Sequence, residues 1–242
     1  MDKILNFQLS MFGSFINIKP NNEITMRLMT NLQEEHFVPG TVDVAVVDPV
    51  SKRINSESRL QMVSEDKFWN IVFLQERIDI SYSYLGGDDY YREFESVFQH
   101  AIRLLEKSFA VFPDTIGNRI AVNGKILLDE KNENEREKFI KRFSVPFSVY
   151  GGTEISEWNL RFNSKTLIEV AEEVVESCNN IIELGDIIGI ENGQLKKRIL
   201  VTLDINTLPE NKNLRFTYRN LIFLASKVKI MMENTMREIE ER

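Results

Sequence analysis

Asp204 and Asn206 stand two residues apart in the run Leu203-Asp204-Ile205-Asn206. Side chains on a strand alternate with a period of two, so both oxygen-bearing groups fall on one face. Hard cations such as magnesium bind through one or two carboxylates, completed by water and phosphate. A D-x-N at a strand end is therefore a candidate metal–phosphate site. The plainer reading is a polar strand end entering the turn Thr207-Leu208-Pro209, where Asp and Asn serve the backbone. Asp79, in Ile78-Asp79-Ile80-Ser81, repeats the arrangement. Arg77 shares its face, and a cross-strand ion pair worth about 0.2–1 kcal/mol is the plain alternative there. Brought together by a pseudo-twofold axis, Asp79 and Asp204 would push one carboxyl pKa upward and form an acid/base pair or share a cation. The same symmetry can equally leave them at opposite ends.

Other reactive residue types point away from chemistry. Gly86-Gly87-Asp88-Asp89 precedes a helical pattern, and a glycine-rich helix start can cradle phosphate. Two aspartates already complement the helix dipole there, which favours capping. Gly151-Gly152 lacks the Lys-Ser/Thr of a phosphate-binding loop. Cys178 lies among apolar neighbours and reads as a buried, inert thiol. No Gly-x-Ser-x-Gly elbow exists. His100, beside Gln99 and Arg103, reads as the exposed edge of a helix. Lys196-Lys197-Arg198 reads as a charged hairpin rim after Asn192-Gly193.

Composition narrows the classes further. With 242 residues the chain can hold one large or two small domains. Apolar residues make up 43% and charged residues 28%, which is ordinary for a globular protein, and the 16 Phe suggest aromatic packing of helices on a sheet. A net charge of −7 repels a phosphate backbone, so nucleic acid is an unfavoured partner. One Cys and two His cannot close a four-ligand zinc site. No metal and no cofactor are expected. No apolar run approaches the ~18 residues of a membrane span. The N-terminus lacks the pattern of a secretory signal, so no membrane partner and a cytoplasmic location are expected.

The elements that would position these residues are short strands and a few helices. Leu5, Phe7, Leu9 and Met11 alternate with Asn6, Gln8 and Ser10 as a half-buried strand. Ile24, Leu28 and Leu32 mark a short helix, and Thr41 to Val47 a β-branched strand. Arg59 to Val63, Phe68 to Leu74 and Arg77 to Tyr84 are joined too tightly for crossovers, so they form an antiparallel meander. Tyr91, Phe94, Val97, Phe98, Ala101, Leu104 and Leu105 follow at helical spacing. Asn118 to Leu128 reads as a strand, or a hairpin turning at Asn123-Gly124. Asp129 to Phe143 reads as an exposed, charged helix. Trp158, Leu160 and Phe162 alternate as another strand. Lys165 to Gly185 fits either a helix face or two strands. Arg198 to Ile205 is a strand, and Leu214 to Ile239 a long amphipathic helix.

The order strands, Asp79, helix and strands, Asp204, helix reads as one unit used twice. The expected fold class is α+β: two similar units of antiparallel meander followed by a long amphipathic helix, packed as one body. Residues 1–150 would form the first unit and 151–242 the second, with a seam at Pro146 to Gly152.

Arg119-Ile120-Ala121-Val122 and Leu203-Asp204-Ile205-Asn206 also carry a resemblance. The chain resembles a sporadically distributed family of uncharacterised bacterial proteins with an Arg-Ile-Gly-Leu-Arg-Tyr stretch and a C-terminal Leu-Asp-Ile-Asp stretch before a final helix. Asn123-Gly124 departs from the first motif and Asn206 from the second. The resemblance implies a bacterial or mobile-element origin and no particular activity.

Two functions follow. The first is a non-catalytic protein-interaction module with a protein partner or a second copy, in a bacterial defence or mobile-element locus. The alternative is a metal-dependent phosphoryl-transfer or nuclease-type enzyme using Asp79, Asp204 and Asn206. For the module, the expected interface lies on the C-terminal helix. Ile222, Phe223, Ile230 and Met231 extend its apolar character beyond the single stripe that a sheet can cover.

Overall fold

The computed structural model describes residues 3–47, 54–84, 93–143, 157–191 and 194–241. Nine strands form one antiparallel sheet in the order β2-β3-β4-β5-β1-β6-β9-β8-β7. They are β1 (Lys3–Phe12), β2 (Phe37–Val47), β3 (Ile54–Ser64), β4 (Trp69–Phe73), β5 (Arg77–Ser83), β6 (Arg119–Leu127), β7 (Asn159–Ala171), β8 (Val174–Glu191) and β9 (Gln194–Thr207). Among the described residues four α-helices accompany them, α1 (Asn22–Asn31), α2 (Phe94–Phe109), α3 (Glu133–Phe143) and α4 (Tyr218–Glu241), with a 3-10 turn at Gln33–Glu35. The α+β class is as expected. The ambiguous stretch from Lys165 to Gly185 is strand, running through β7 and into β8. The seam expected at Pro146 to Gly152 lies outside the described residues, as do Gly86-Gly87-Asp88-Asp89, Tyr91 and Asn192-Gly193.

β1 and β6 lie side by side in the middle, with Leu9 opposite Val122 and Ser10 opposite Ala121. Strand alternation sends Phe7, Leu9 and Met11 to one face, where all three are buried. The register slips between Ile4 and Asn6, so Leu5 is an extra residue and Ile4 turns into the core. α2 lies over β1 and β5, and α4 over β1, β6 and β7, with the two helices in contact. Phe7 meets Phe94 and Phe98 edge-on at 5.9 and 6.1 Å. α1 starts with an Asn21 cap whose side chain accepts from the Ile24 N–H at 2.8 Å. It packs on α2, where Arg27 and Asn31 donate to the Val111 and Lys107 carbonyls. α3 is tied to β8 by a buried ion pair between Arg136 and Asp186.

Three local expectations change. Asn123-Gly124 is no turn: β6 runs through it unbroken. A Cβ at Gly124 would overlap the Met232 Cε methyl, so the glycine is there to let α4 approach the sheet. The helix α3 is not wholly exposed, because Arg136, Phe139 and Ile140 are buried. Leu214 precedes α4, which begins at Tyr218, and is solvent-exposed.

Gly124→Ala should therefore cost about 1–3 kcal/mol through overpacking, measured by chemical denaturation. The cost should fall when Met232→Ala is already present, since the overlapping methyl is then gone.

Candidate functional site

With the helices gathered on one face, the other face of the central strands carries short polar side chains. The register sets them in rows. One row runs Asp79, Ser10, Ala121, Asn206, Asn179 across β5, β1, β6, β9 and β8. The next runs Ser81, Gln8, Asn123, Asp204. Among the described residues no helix lies on this face. Its amides and hydroxyls bond mainly to one another. Asn6 donates to the Tyr82 carbonyl at 2.8 Å, Gln8 to Ser10 Oγ at 3.0 Å, and Gln61 to Asn70 Oδ1 at 3.0 Å.

Asp79, Asp204 and Asn206 all lie on this face, but only the last two come together. Asn206 Nδ2 donates to Asp204 Oδ1 at 3.0 Å. Asn206 Oδ1 accepts from Arg119 at 3.0 Å and from Asn179 at 3.2 Å. Arg119 in turn lies over the Phe12 ring at 4.5 Å, a cation–π contact. Asp79 is three strands away, which at about 4.8 Å per strand is roughly 14 Å. The two carboxylates do not share a site. Asp79 accepts from Ser10 Oγ at 2.7 Å and pairs with Arg77 Nε at 2.7 Å. Burial pushes its carboxyl above the usual range, only partly offset by the hydrogen bond from Ser10, the Arg77 charge and a hydrogen bond from Gln8. Among the described residues no three His, Cys, Asp or Glu side chains are grouped to hold a metal ion.

The remaining candidates are structural. Cys178 is fully buried, and burial followed by the nearby Glu176 carboxylate pushes its thiol up to about 11. A thiol so far from ionisation is a poor nucleophile. His100 is not at an exposed edge. It is half-buried, stacked on Trp69 with ring centroids 4.6 Å apart, with Nε2 3.6 Å from Glu35. Lys196 and Arg198 are drawn to one carboxylate, Glu130, at 2.8 and 3.7 Å, and Arg198 is buried, so part of the basic cluster is spent within the chain.

Glu35 is the residue that sequence reasoning missed. It receives Lys107 and Arg103 of α2, each at 2.9 Å, besides His100. Burial raises its carboxyl, but the hydrogen bond from Lys107 and the charges of His100, Arg103 and Lys107 outweigh that and hold it below the usual range. His100, Arg103 and Lys107 recur at helical spacing, one basic stripe on α2, which is the only sequence signal for this cluster.

On α4, Ile222 and Met231 pack against the core. Lys227 lies over the Phe223 ring at 5.3 Å, and Ile230 is 55% exposed. The expected second apolar stripe is thus half absorbed within the chain. Beside α4 a cavity of about 330 Å³ is lined by Ile4, Phe94, Ile126, Met232 and Met236, with Glu233, Arg237 and Glu240 at its rim.

No family model matches the sequence, and no solved structure matches it. Parts of the chain are similar to pheromone-processing carboxypeptidases of fungi. The kex1 protein of Aspergillus terreus is 29% identical over 133 residues, covering 48% of this chain and 21% of that protein. The kex1 protein of Aspergillus oryzae is 28% identical over 98 residues, covering 40% and 14%. The chain thus spans about a fifth or less of the length of these curated relatives.

Asp79→Asn should change the pH dependence of stability. A carboxyl whose folded pKa is raised favours folding at pH below that value and opposes it as pH rises from the unfolded pKa through the folded one. The variant should be more stable than wild type at neutral pH, with the gap closing as pH falls from the raised folded value to the usual carboxylate value. Denaturation midpoints across that span check the sign.

Proposed function

We propose that the protein is a non-catalytic protein-interaction module and that its partner rests against the polar face of the sheet, where Asn123 and Asp204 are half-buried around a buried row of Ser10, Asp79 and Asn206. The observation that carries this is the state of the carboxylates. Asp79 and Asp204 are three strands apart, and each is already bonded within the face, Asp79 to Ser10 and Arg77 and Asp204 to Asn206. Metal-assisted phosphoryl transfer needs converging carboxylates with free coordination positions. A wall of mostly neutral amides and hydroxyls, with few long flexible side chains to immobilise, suits a broad protein contact instead. The bacterial defence or mobile-element setting rests on the sequence resemblance and on no feature of the fold. The carboxypeptidase likeness covers too small a share of those proteins to bring their chemistry here.

The same reading treats the chain as two related units. β1, α1, the strands β2 to β5 and α2 form one, and β6, α3, the strands β7 to β9 and α4 the other. A pseudo-twofold axis through the pair Leu9–Val122 relates Ser10 to Asn123. It thereby relates Asp79, opposite Ser10, to Asp204, opposite Asn123. The first unit has one strand more, and this reading draws the division before β6.

Affinity capture from the source cells, using wild type and Asn123→Arg, tests the function. Wild type should recover a partner that the variant loses, while both melt at the same temperature. Equal recovery would move the partner off this face. Turnover of a phosphodiester that requires a divalent cation and disappears in Asp204→Asn would overturn the module reading altogether.

A further inference from the structure

We propose that the cavity beside α4 binds a small amphipathic acid, with an aliphatic chain of medium length inside and its carboxylate against Arg237. The cavity lies on the helix side of the sheet, so the inference goes beyond the partner proposed for the polar face and stands apart from it.

Three features of the chain build this cavity. The bulge in β1 turns Ile4 to the helix side, opposite Ile126. Met232 comes down over Gly124, two residues before Ile126 and on the same face. Ile4, Ile126 and Met232 are buried and make the floor. Phe94, the first residue of α2, and Met236, one turn beyond Met232, are half-buried and make the walls. A buried floor with half-buried walls is a pocket rather than a flat apolar patch. Every side chain below the mouth is apolar, so water there would lack the polar partners it needs, and the space favours an apolar occupant. The unbranched thioethers of Met232 and Met236 can adjust to a flexible chain. At a share of about 30 Å³ per heavy atom, the cavity volume of about 330 Å³ holds roughly eleven. That corresponds to a chain of about eight to ten carbons with its head left at the mouth.

The mouth selects the head group. Glu233, Arg237 and Glu240 stand around it. Lys229 reaches Glu233 at 3.5 Å and offsets one carboxylate, and Glu240 has contacts of its own. Arg237 is exposed, and among the described residues its side chain has no ion pair or hydrogen bond. A guanidinium presents paired N–H donors that match the two oxygens of a carboxylate. The neighbouring acids reduce the attraction, so burial of the chain supplies most of the affinity, about fourfold for each methylene.

Isothermal titration calorimetry with straight-chain carboxylates, below their micelle-forming concentrations, tests the site. One decanoate should bind per chain. Affinity should rise about fourfold per methylene from hexanoate to octanoate and level off beyond decanoate, where the cavity is full. Arg237→Glu, at an exposed position, should weaken decanoate by about tenfold or more and change decanol little. Met236→Trp should fill the space and abolish binding of both; if it fails to fold, Arg237→Glu and the chain-length series still decide. A wild type that binds none of these probes overturns the proposal. So does an affinity that keeps rising with chain length at several molecules per chain, and so does an Arg237→Glu variant that binds decanoate like wild type. Asn123→Arg, on the opposite face, should bind decanoate unchanged, which separates a failure here from a failure of the polar-face reading.

Discussion

The antiparallel pairing of β1 with β6 is the interaction on which the rest of the structure depends. Each of these strands has a hydrogen-bonded neighbour on both sides, β5 and β6 for β1, β1 and β9 for β6. Without this seam the sheet would be two smaller sheets, each with an added unpaired edge, and unpaired edges invite aggregation. The seam also underlies both long helices. α2 and α4 each lie partly over β1, and they meet above it. Lys229 of α4 is ion-paired with Glu95 of α2 and lies over the Phe98 ring at 5.6 Å. Gly124 is the point of closest fit, where the absence of a side chain lets Met232 reach the sheet. Burial on the helix face is nearly complete: Phe7, Leu9, Met11, Val122, Leu203 and Ile205 are all at the bottom of the exposure range.

The second face is polar, and its central row, Asp79, Ser10, Ala121 and Asn206, is buried. An antiparallel sheet tolerates one face toward water, with apolar and polar residues alternating along each strand. What distinguishes this face is how far its polar groups satisfy one another. A buried carboxylate without partners would cost several kcal/mol; Asp79 has Ser10 and Arg77, and its raised pKa records the part of that cost which remains. The arrangement is rigid and short-armed. It presents fixed donors and acceptors rather than a cleft with converging acids, and that is the physical basis for reading the protein as a binding module.

Local patterns carried much of this fold in the sequence. The alternation of Phe7, Leu9 and Met11, the short connections from Arg59 to Tyr84 and the helical spacing from Phe94 to Leu105 each describe an element that the structure contains. The shared face of Asp204 and Asn206 also followed from strand periodicity alone. Long-range partners did not. Lys165 to Gly185 fits a helix as well as strands until β9 is there to pair with β8. Asn123-Gly124 has the chemistry of a tight turn, and only the approach of Met232, more than a hundred residues later in the chain, explains a glycine mid-strand. His100 is held inward by Trp69 and Glu35, neither of which its neighbours in sequence reveal. The separation of Asp79 from Asp204 is set by the number of strands between them, which no single motif encodes.

The central claim is that the β1–β6 seam makes one cooperative body. The two tryptophans provide a direct reporter for each side of it. Trp69 on β4 packs against Tyr82 at 5.2 Å, and Trp158, just before β7, against Phe139 at 6.2 Å. Single-tryptophan variants, Trp69→Phe and Trp158→Phe, can each be unfolded in denaturant while the remaining indole fluorescence is followed. A body unified by the seam predicts coincident transitions from the two reporters, each matching the loss of circular dichroism. Two separated transitions, one for each tryptophan, in variants of equal overall stability would contradict it.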